Sequence, residues 1–199
     1  MEHYFISKQH KDEDYFEFLW QFEGKEYTFK SCDDVFSKNQ VDYGTYVLLK
    51  TIAQKLSLKG DVLDIGCGYG VIGIVLANLY KDCNIFMSDV NKTAVQLARQ
   101  NAKKNGTKNI KQIVESNAYQ NIDATFDYII SNPPIKAGKA VLLDIVLGAY
   151  NKLNNDGSLI FVIKKKFGED SLKKQLQGIF ALVEVLKRDS GYYVIMATK

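Results

Sequence analysis

The chain has 199 residues, 46% of them apolar, which is enough for one domain with a sizeable core. The 26 basic and 23 acidic residues leave a net charge of +3, too small to indicate a nucleic-acid-binding protein by total charge alone. The three cysteines (Cys32, Cys67, Cys83) match neither a zinc pattern nor a disulfide framework, so we expect buried thiols and no bound metal. The N-terminus lacks an export leader, and every apolar stretch is shorter than the about 20 residues of a membrane span, so we expect a cytoplasmic protein with no membrane partner.

The first predicted elements are two aromatic-rich strands at 15–20 and 26–30. Glu23, Gly24 and Lys25 separate them, which is typical of a hairpin. We expect residues 1–40 to form this hairpin extension, packed on a main domain at 41–199. The main domain begins with helical periodicity at 43–56 and the buried-strand run Val62–Ile65.

Strand and helix patterns alternate through the rest of the chain. This alternation predicts an α/β fold with a mostly parallel sheet and helices on both faces. Two strands around Arg188-Asp189-Ser190-Gly191 predict a closing antiparallel hairpin. The predicted helices span 70–80, 91–104, 138–152 and 169–179, and the strands 84–88, 110–114, 126–131, 158–163, 182–186 and 192–197.

A glycine-rich loop, Asp64-Ile65-Gly66-Cys67-Gly68-Tyr69-Gly70, follows the first buried strand and precedes a helix. Its glycines allow a ligand to approach main-chain N–H groups, which predicts a nucleotide-like ligand. The segment from Gly68 to Gly73 also satisfies G-x-G-x-x-G, so the glycines alone do not separate NAD from other ligands. Glycines that only permit close helix packing are the structural alternative.

Two acids flank this loop. Asp89 ends the next strand, 19 residues after Gly70, where a carboxylate can accept both hydroxyls of a ribose. Its alternative role is helix capping, for which Asn91 is better placed. Asp64 precedes the loop and can meet a cationic part of a ligand, or accept from the loop's own N–H groups.

The two prolines of the chain, Pro133 and Pro134, directly follow Asn132 at the end of the strand at 126–131. Their rings fix the backbone and hold the Pro133 carbonyl in one direction. With the amide oxygen of Asn132, that carbonyl makes a pair of neutral acceptors suited to an uncharged –NH2 group. A strand-ending turn without function is the alternative.

Together these motifs resemble the class I S-adenosylmethionine-dependent methyltransferases that methylate amino nitrogens. The closer resemblance is to the small-subunit ribosomal RNA guanine-N2 methyltransferases of the RsmC type, and it runs from about Phe5 to the end. The segments that carry it are Asp64–Gly70, Ser88-Asp89-Val90, Val35-Phe36-Ser37-Lys38, Val41-Asp42-Tyr43-Gly44-Thr45 and Asn132-Pro133-Pro134-Ile135-Lys136-Ala137-Gly138-Lys139.

The resemblance implies a Rossmann-like, seven-stranded fold and S-adenosylmethionine as cofactor. It places the methionine part near Asp64 and the loop, the ribose near Asp89, and the adenine near Asn117 and Ala118. Asn117 departs from the Asp of many relatives and can also be a turn residue. The resemblance also implies that Thr45 reaches the cofactor carboxylate, with a surface or helix-capping role as the alternative. The remaining implied cofactor contacts are Gly66, Cys67, Gly68, Gly70 and Val90.

The resemblance further implies catalysis by Asn132, Pro133, Pro134 and Ile135 on guanine in small-subunit ribosomal RNA. Ile135 stands where adenine- and glutamine-specific relatives have Tyr, so base stacking would come from Phe36 or Tyr43, unless these are core residues. Lysines gather at the carboxyl edge of the sheet, which favours RNA. The predicted RNA-binding residues are Phe36, Lys38, Lys136, Lys139, Lys164 and Lys165.

Three other functions stay open from the sequence. A protein glutamine methyltransferase would use the same pair of acceptors. An NAD-dependent oxidoreductase is indicated only by G-x-G-x-x-G. A non-catalytic RNA-binding scaffold would keep the lysines but would not need Asn132 and its prolines.

Overall fold

Helices and strands alternate through most of the computed structural model, which describes residues 15–37, 39–134, 138–165 and 169–199, without the side chains of residues 139 and 169–171. The strands are β1 (Tyr15–Phe22), β2 (Lys25–Cys32), β3 (Gly60–Ile65), β4 (Cys83–Asp89), β5 (Ile110–Glu115), β6 (Phe126–Ser131), β7 (Leu153–Lys164), β8 (Leu182–Asp189) and β9 (Tyr192–Thr198). The helices are α1 (Tyr43–Lys55), α2 (Val71–Leu79), α3 (Lys92–Lys104), α4 (Lys139–Lys152) and α5 (Glu169–Gln177).

Seven strands form one sheet in the order β5-β4-β3-β6-β7-β9-β8. The strands from β3 to β7 pair in parallel, whereas β9 is antiparallel to both of its neighbours. The predicted α/β fold with a mostly parallel seven-stranded sheet and a closing hairpin is therefore confirmed. The strand order reverses between β3 and β6, and ligands of such sheets bind beyond the carboxyl ends at this point.

Two hydrophobic clusters cover the two faces of the sheet. Leu48, Ile74 and Leu97, from α1, α2 and α3, belong to one cluster. Val146 and Leu172, from α4 and α5, belong to the other. Both faces of the central strands are therefore buried, which explains why those strands read as nearly continuous apolar runs.

The N-terminal hairpin packs on the side of the domain that carries α3. Glu23 (φ 46°) and Gly24 (φ 73°) both adopt left-handed backbone, as a two-residue hairpin turn requires. From α3, the amide of Asn101 pairs with the backbone N–H (2.8 Å) and carbonyl (2.9 Å) of Lys30. The amide of Asn105 pairs in the same way with Thr28. Two asparagines one helical turn apart thus complete the hydrogen bonds of β2.

The start of β7 differs from the prediction. The strand begins at Leu153 rather than at 158, because Leu153 is buried and pairs with Phe126 before the register shifts. Asp156 takes left-handed backbone (φ 62°) within the intervening segment, whose Asn, Asp and Gly residues are typical of a turn.

The cysteines are confirmed as free, buried thiols. Within the residues that the structure describes, no helix is long and apolar enough to cross a membrane. The same part of the chain contains no cluster of three or more His, Cys, Asp or Glu side chains that could hold a metal ion.

Candidate active site

A cavity of about 370 Å³ opens beyond the carboxyl ends of β3, β4, β5 and β6. Its wall gathers most of the site residues predicted from the sequence. These are Phe36, Thr45, Gly66, Cys67, Gly68, Asp89, Val90, Asn117, Ala118, Asn132, Pro133, Pro134 and Lys164. Residues that are far apart in the chain meet here because parallel strands bring all of their C-terminal loops to one edge.

The glycines of the loop after β3 serve two different purposes. Gly66 and Gly68 have positive φ angles (73° and 56°), and an added Cβ at either position would meet nothing within 4 Å. These two lie on the cavity wall and leave the backbone open to a ligand. An added Cβ on Gly70 or Gly73 would instead lie 2.9 or 2.7 Å from the Met87 side chain. The packing alternative therefore applies to the second pair only.

Asp89 holds the loop in place from the end of β4. Its Oδ2 accepts from the N–H of Gly68, and its Oδ1 accepts from the N–H of Asn91, each at 2.8 Å. Burial raises the pKa of Asp89, although these backbone hydrogen bonds act in the opposite direction. Asn91 caps α3 by accepting from the N–H groups of Thr93 and Ala94. The helix-capping role therefore belongs to Asn91, and the Asp89 carboxylate is left on the cavity wall.

Asp64 lies behind the loop rather than on the cavity wall. The side chain is fully buried, and its Oδ2 accepts from the N–H of Gly73 at 2.8 Å. Its Oδ1 has no hydrogen-bond partner among the described residues. Burial, with a smaller contribution from Asp89, raises the pKa of Asp64 to about 7. The donor, Gly73, lies in α2 and outside the glycine-rich loop, so the observed bond is not to the loop's own N–H groups.

Asn132 sits at the carboxyl end of β6 with a fixed amide. Its Nδ2 donates to Asp42 Oδ2 at 3.0 Å and to Thr45 Oγ1 at 2.8 Å. Both amide hydrogens are thus bonded on the side of α1. The Ser131 hydroxyl donates to the Ile65 carbonyl at 2.8 Å and holds the end of β6 against β3. Asn132 lines the cavity, and its amide oxygen accepts no hydrogen bond from the part of the chain that the structure describes.

The charge on the cavity wall favours a cationic ligand. Among the described residues, four carboxylates line the cavity, and Lys164 is the single lysine or arginine there. Like charges lining a concave, partly buried surface attract the opposite charge. The four acids are Asp34, Asp42, Asp89 and Asp144.

The mouth of the cavity carries aromatic and basic side chains. Phe36 lines it and is 48% exposed, and the Tyr192 ring lies 4.9 Å from the Lys164 Nζ. Hydrogen bonding to Tyr192 raises the pKa of Lys164. Lys165 is exposed next to Lys164 without lining the cavity, and Tyr43 lies outside it with its ring 5.7 Å from that of Tyr192.

Several predicted site residues are not brought to the cavity by the described structure. Asp64 and Gly70, at the two ends of the loop, do not line the cavity. Lys38, Ile135 and Lys136 lie outside the described residues, as does the side chain of Lys139.

Sequence reasoning missed Asp42, Asp144 and Tyr192 as cavity residues. Asp42 belongs to the segment Val41-Asp42-Tyr43-Gly44-Thr45 that carries the family resemblance, and an acidic residue directly before a helix indicates a helix cap. Tyr192 follows the turn of the closing hairpin, and only the pairing of β9 with β7 brings it to Lys164.

The chain belongs to the methyltransferase small domain family, whose model matches residues 26–196. With the fold, this makes the protein a class I methyltransferase. Membership of this family excludes the NAD-dependent oxidoreductase that the G-x-G-x-x-G pattern left open. Gly73, the last glycine of that pattern, is a packing residue.

Among its relatives, the chain is 40% identical to YbxB of Bacillus subtilis (strain 168), described as uncharacterised, over 100% of this chain and 98% of YbxB. It is 34% identical to ribosomal RNA small subunit methyltransferase C of Serratia proteamaculans (strain 568), over 85% of this chain and 48% of that protein. A solved structure of a T. thermophilus 16S rRNA N2 methyltransferase (RsmC), in complex with AdoMet and guanosine, superposes with a TM-score of 0.82 at 27% identity, covering 93% of this chain and 50% of that one. The chain thus spans about half the length of these ribosomal RNA methyltransferases.

Class I methyltransferases use S-adenosylmethionine, and the cavity fits this cofactor. The acidic wall suits its sulfonium cation, and the loop at Gly66 and Gly68 leaves space for close approach. Asp89 offers a carboxylate at the end of the second strand of the parallel sheet, where nucleotide ribose binds in such folds. Val90, Ala118 and Ile145 supply an apolar wall for a flat base.

Proposed function

We propose that the protein methylates the exocyclic 2-amino group of a guanine in RNA, with small-subunit ribosomal RNA in the cytoplasm as the substrate. The observation that carries this proposal is the orientation of Asn132, whose two amide hydrogens are bonded to Asp42 and Thr45. Its amide oxygen then serves as an acceptor on the wall of the cofactor cavity. Relatives named as ribosomal RNA small subunit methyltransferases support RNA as the substrate class.

The cofactor and the target nitrogen meet between the glycine loop and Asn132. In this proposal Asp89 accepts from the ribose hydroxyls, and Gly66, Cys67 and Gly68 border the methionine part. The Thr45 hydroxyl accepts from Asn132 and keeps its own hydrogen for the cofactor carboxylate. Asn117 and Ala118 border the adenine. This placement directs the methyl group toward the end of β6.

In this proposal the acceptors at Asn132 and Pro133 make the guanine amine a better nucleophile. Its lone pair is delocalised into the ring, so the nitrogen is a weak nucleophile while its hydrogens stay in plane. Two acceptors, the Asn132 amide oxygen and the Pro133 carbonyl, draw these hydrogens out of plane and direct the lone pair at the methyl carbon. The N–C bond forms as the S–C bond breaks with its electrons on sulfur, and the proton then leaves to water.

Positioning accounts for most of the proposed catalysis. A sulfonium is already an activated methyl donor, and orientation of two reactants can lower a barrier by about 7–11 kcal/mol. A general base typically contributes 10²–10⁴-fold, or about 3–5 kcal/mol. Two rigid neutral acceptors are therefore sufficient for this reaction, without a catalytic histidine.

The experiment that tests this function compares two RNAs that share one loop sequence and differ only at the target position. One RNA carries guanosine there and the other carries inosine. Inosine differs from guanosine only by lacking the 2-amino group. We expect methyl transfer to the guanosine RNA and a loss of transfer to the inosine RNA to background. Equal transfer to both would place the methyl group on another atom and overturn the proposal.

Loss of Asp89 should weaken cofactor binding. A hydrogen bond to a charged group contributes about 1.5–3 kcal/mol, so Asp89→Ala should raise the Kd for S-adenosylmethionine by roughly 10–100-fold. Asp89→Asn keeps one acceptor oxygen, so its Kd for S-adenosylmethionine should rise by a smaller factor. Isothermal titration calorimetry measures both, and an unchanged Kd in the alanine variant would remove Asp89 from the cofactor site.

The lysines at the mouth should make RNA binding depend on salt. Lys164 and Lys165 are exposed at the end of β7 and can contact phosphates, whereas Lys59 is exposed beside the start of β3, at the opposite edge of the sheet. We expect the double variant Lys164→Ala/Lys165→Ala to bind a small-subunit RNA fragment about 10-fold more weakly, with a shallower slope of log Kd against log salt. Lys59→Ala is the matched control. A flat salt dependence in the wild type would favour a protein or small-molecule substrate.

A further inference from the structure

We propose that Asp42 is a positioning residue that sets the direction of the Asn132 amide and thereby makes the site selective for an amino group. This inference rests on the proposed function, since it concerns the same acceptor. It goes further by assigning the orientation, and the choice of substrate group, to a residue 90 positions away in the chain.

The geometry around Asp42 leaves the amide one favourable orientation. Asp42 Oδ2 accepts from Asn132 Nδ2 at 3.0 Å and also from the Thr45 N–H at 3.2 Å. An ionised carboxylate has acceptors only. A flipped amide would place its oxygen 3.0 Å from the carboxylate oxygen and lose the bond to Asp42. The Thr45 hydroxyl can donate or accept, so it does not select between the two orientations. The half-buried Asp42 carboxylate therefore holds the amide in the observed orientation.

This orientation decides which substrate groups the site accepts. With its –NH2 turned toward α1, Asn132 presents only its oxygen to the cavity, and an oxygen accepts from the hydrogens of a substrate amine. A flipped amide would present a donor, which suits a carbonyl and repels an amine. A buried polar group left without a partner costs about 1–3 kcal/mol. Asp42 thus favours an amino group over a carbonyl at the reacting position.

The charge of Asp42 also acts on the reaction itself. As the S–C bond breaks and the N–C bond forms, positive charge moves from sulfur to the substrate nitrogen. The carboxylate polarises the Asn132 amide through its –NH2 group and makes the amide oxygen a stronger acceptor. The hydrogens that this oxygen binds become more positive in the transition state. The interaction is therefore stronger in the transition state than in the ground state, which raises kcat.

Asp42 also caps α1, so the test separates capping from positioning. Asp42→Ser keeps a good capping hydroxyl for the Thr45 N–H but is too short to reach Asn132. We expect kcat to fall at least 10-fold, with the Kd for S-adenosylmethionine within twofold of the wild type. The control is Asp189→Asn, which neutralises a carboxylate bonded to Tyr43 and should leave kcat within twofold. An unchanged kcat in Asp42→Ser would overturn the inference.

A charge exchange provides a second test. Asn132→Asp alone places two carboxylates about 3 Å apart, and we expect kcat to fall by 100-fold or more. The double variant Asp42→Asn/Asn132→Asp restores an –NH2 group opposite a carboxylate with the partners exchanged. We expect it to recover at least 10-fold over Asn132→Asp alone. A double variant no better than the single one would contradict the inference.

A measurement without substrate separates this inference from the proposed function. The Asn132 side-chain –NH2 protons, assigned by ¹⁵N NMR, should exchange slowly with water in the wild type and at least 10-fold faster in Asp42→Ser. Rapid exchange in the wild type would overturn the positioning role even if the enzyme methylates guanine. Slow exchange in a protein that does not methylate guanine would overturn the proposed function and retain the positioning role.

Discussion

Replacing Asn132 with alanine should lower kcat for methyl transfer by roughly 10²–10³-fold, the scale on which loss of one preorganised hydrogen-bonding group at a reacting centre affects other enzymes. The amide oxygen is one of the two acceptors proposed to pull the guanine hydrogens out of plane, and its position is fixed by Asp42 and Thr45. The remaining carbonyl of Pro133 cannot orient the amine alone. Single-turnover methyl transfer with saturating cofactor measures this loss directly.

The loss should be confined to the chemical step. Because the proposed mechanism places this acceptor against the target amine and not against the cofactor, the Kd for S-adenosylmethionine should stay within about twofold of the wild type. Asn151→Ala is the matched control, since Asn151 is an exposed asparagine on α4 that does not line the cavity. Full transfer activity in a properly folded, cofactor-binding Asn132→Ala variant would refute the two-acceptor mechanism.

The buried carboxylate of Asp64 should make the cofactor-free protein less stable as the pH rises from about 4 to 7. Burial raises its pKa from 3.8 to about 7. Between these values the unfolded chain has lost the proton that the folded chain retains, so the free energy of unfolding falls with pH. The contribution of Asp64 to the free energy of unfolding is complete below about pH 4, decreases between these two pH values, and is constant above about pH 7. At about 1.4 kcal/mol per pH unit, the total is roughly 4 kcal/mol.

Asp64→Asn removes this titration and retains an acceptor for the Gly73 N–H. Urea unfolding at several pH values should therefore show that the difference in free energy of unfolding, wild type minus variant, decreases from pH 4 to pH 7.5. Asp156→Asn, in an exposed turn, is the control and should show no such trend. A difference that stays constant across this range would mean that Asp64 is ionised in the folded protein at pH 4.

The parts of the fold that follow from local patterns were predictable. The strands β3, β4, β6 and β7 are apolar runs between turn signals, and their parallel arrangement brings the glycine loop, Asp89 and Asn132 to one edge of the sheet. Asn91 as the cap of α3 also followed from its position directly before the helix. The resemblance to known methyltransferases added residues such as Asn117 and Ala118, which no local rule would select.

The contacts that depend on tertiary packing were not predictable. The bond from Asn132 to Asp42 spans 90 positions and requires the start of α1 to lie beside the end of β6. Tyr192 reaches the cavity only because β9 pairs with β7. The direction of the Asp64 side chain depends on the N–H of Gly73 in α2, which its sequence neighbours do not specify.

The most direct test of guanine 2-amino methylation is nucleoside analysis of small-subunit ribosomal RNA from cells lacking the gene. We expect the nucleoside digest to contain less N2-methylguanosine than the digest from the parent cells, and expression of the wild-type protein, but not of Asn132→Ala, to restore it. An unchanged N2-methylguanosine content, with or without the loss of a methylated adenosine, would contradict the account.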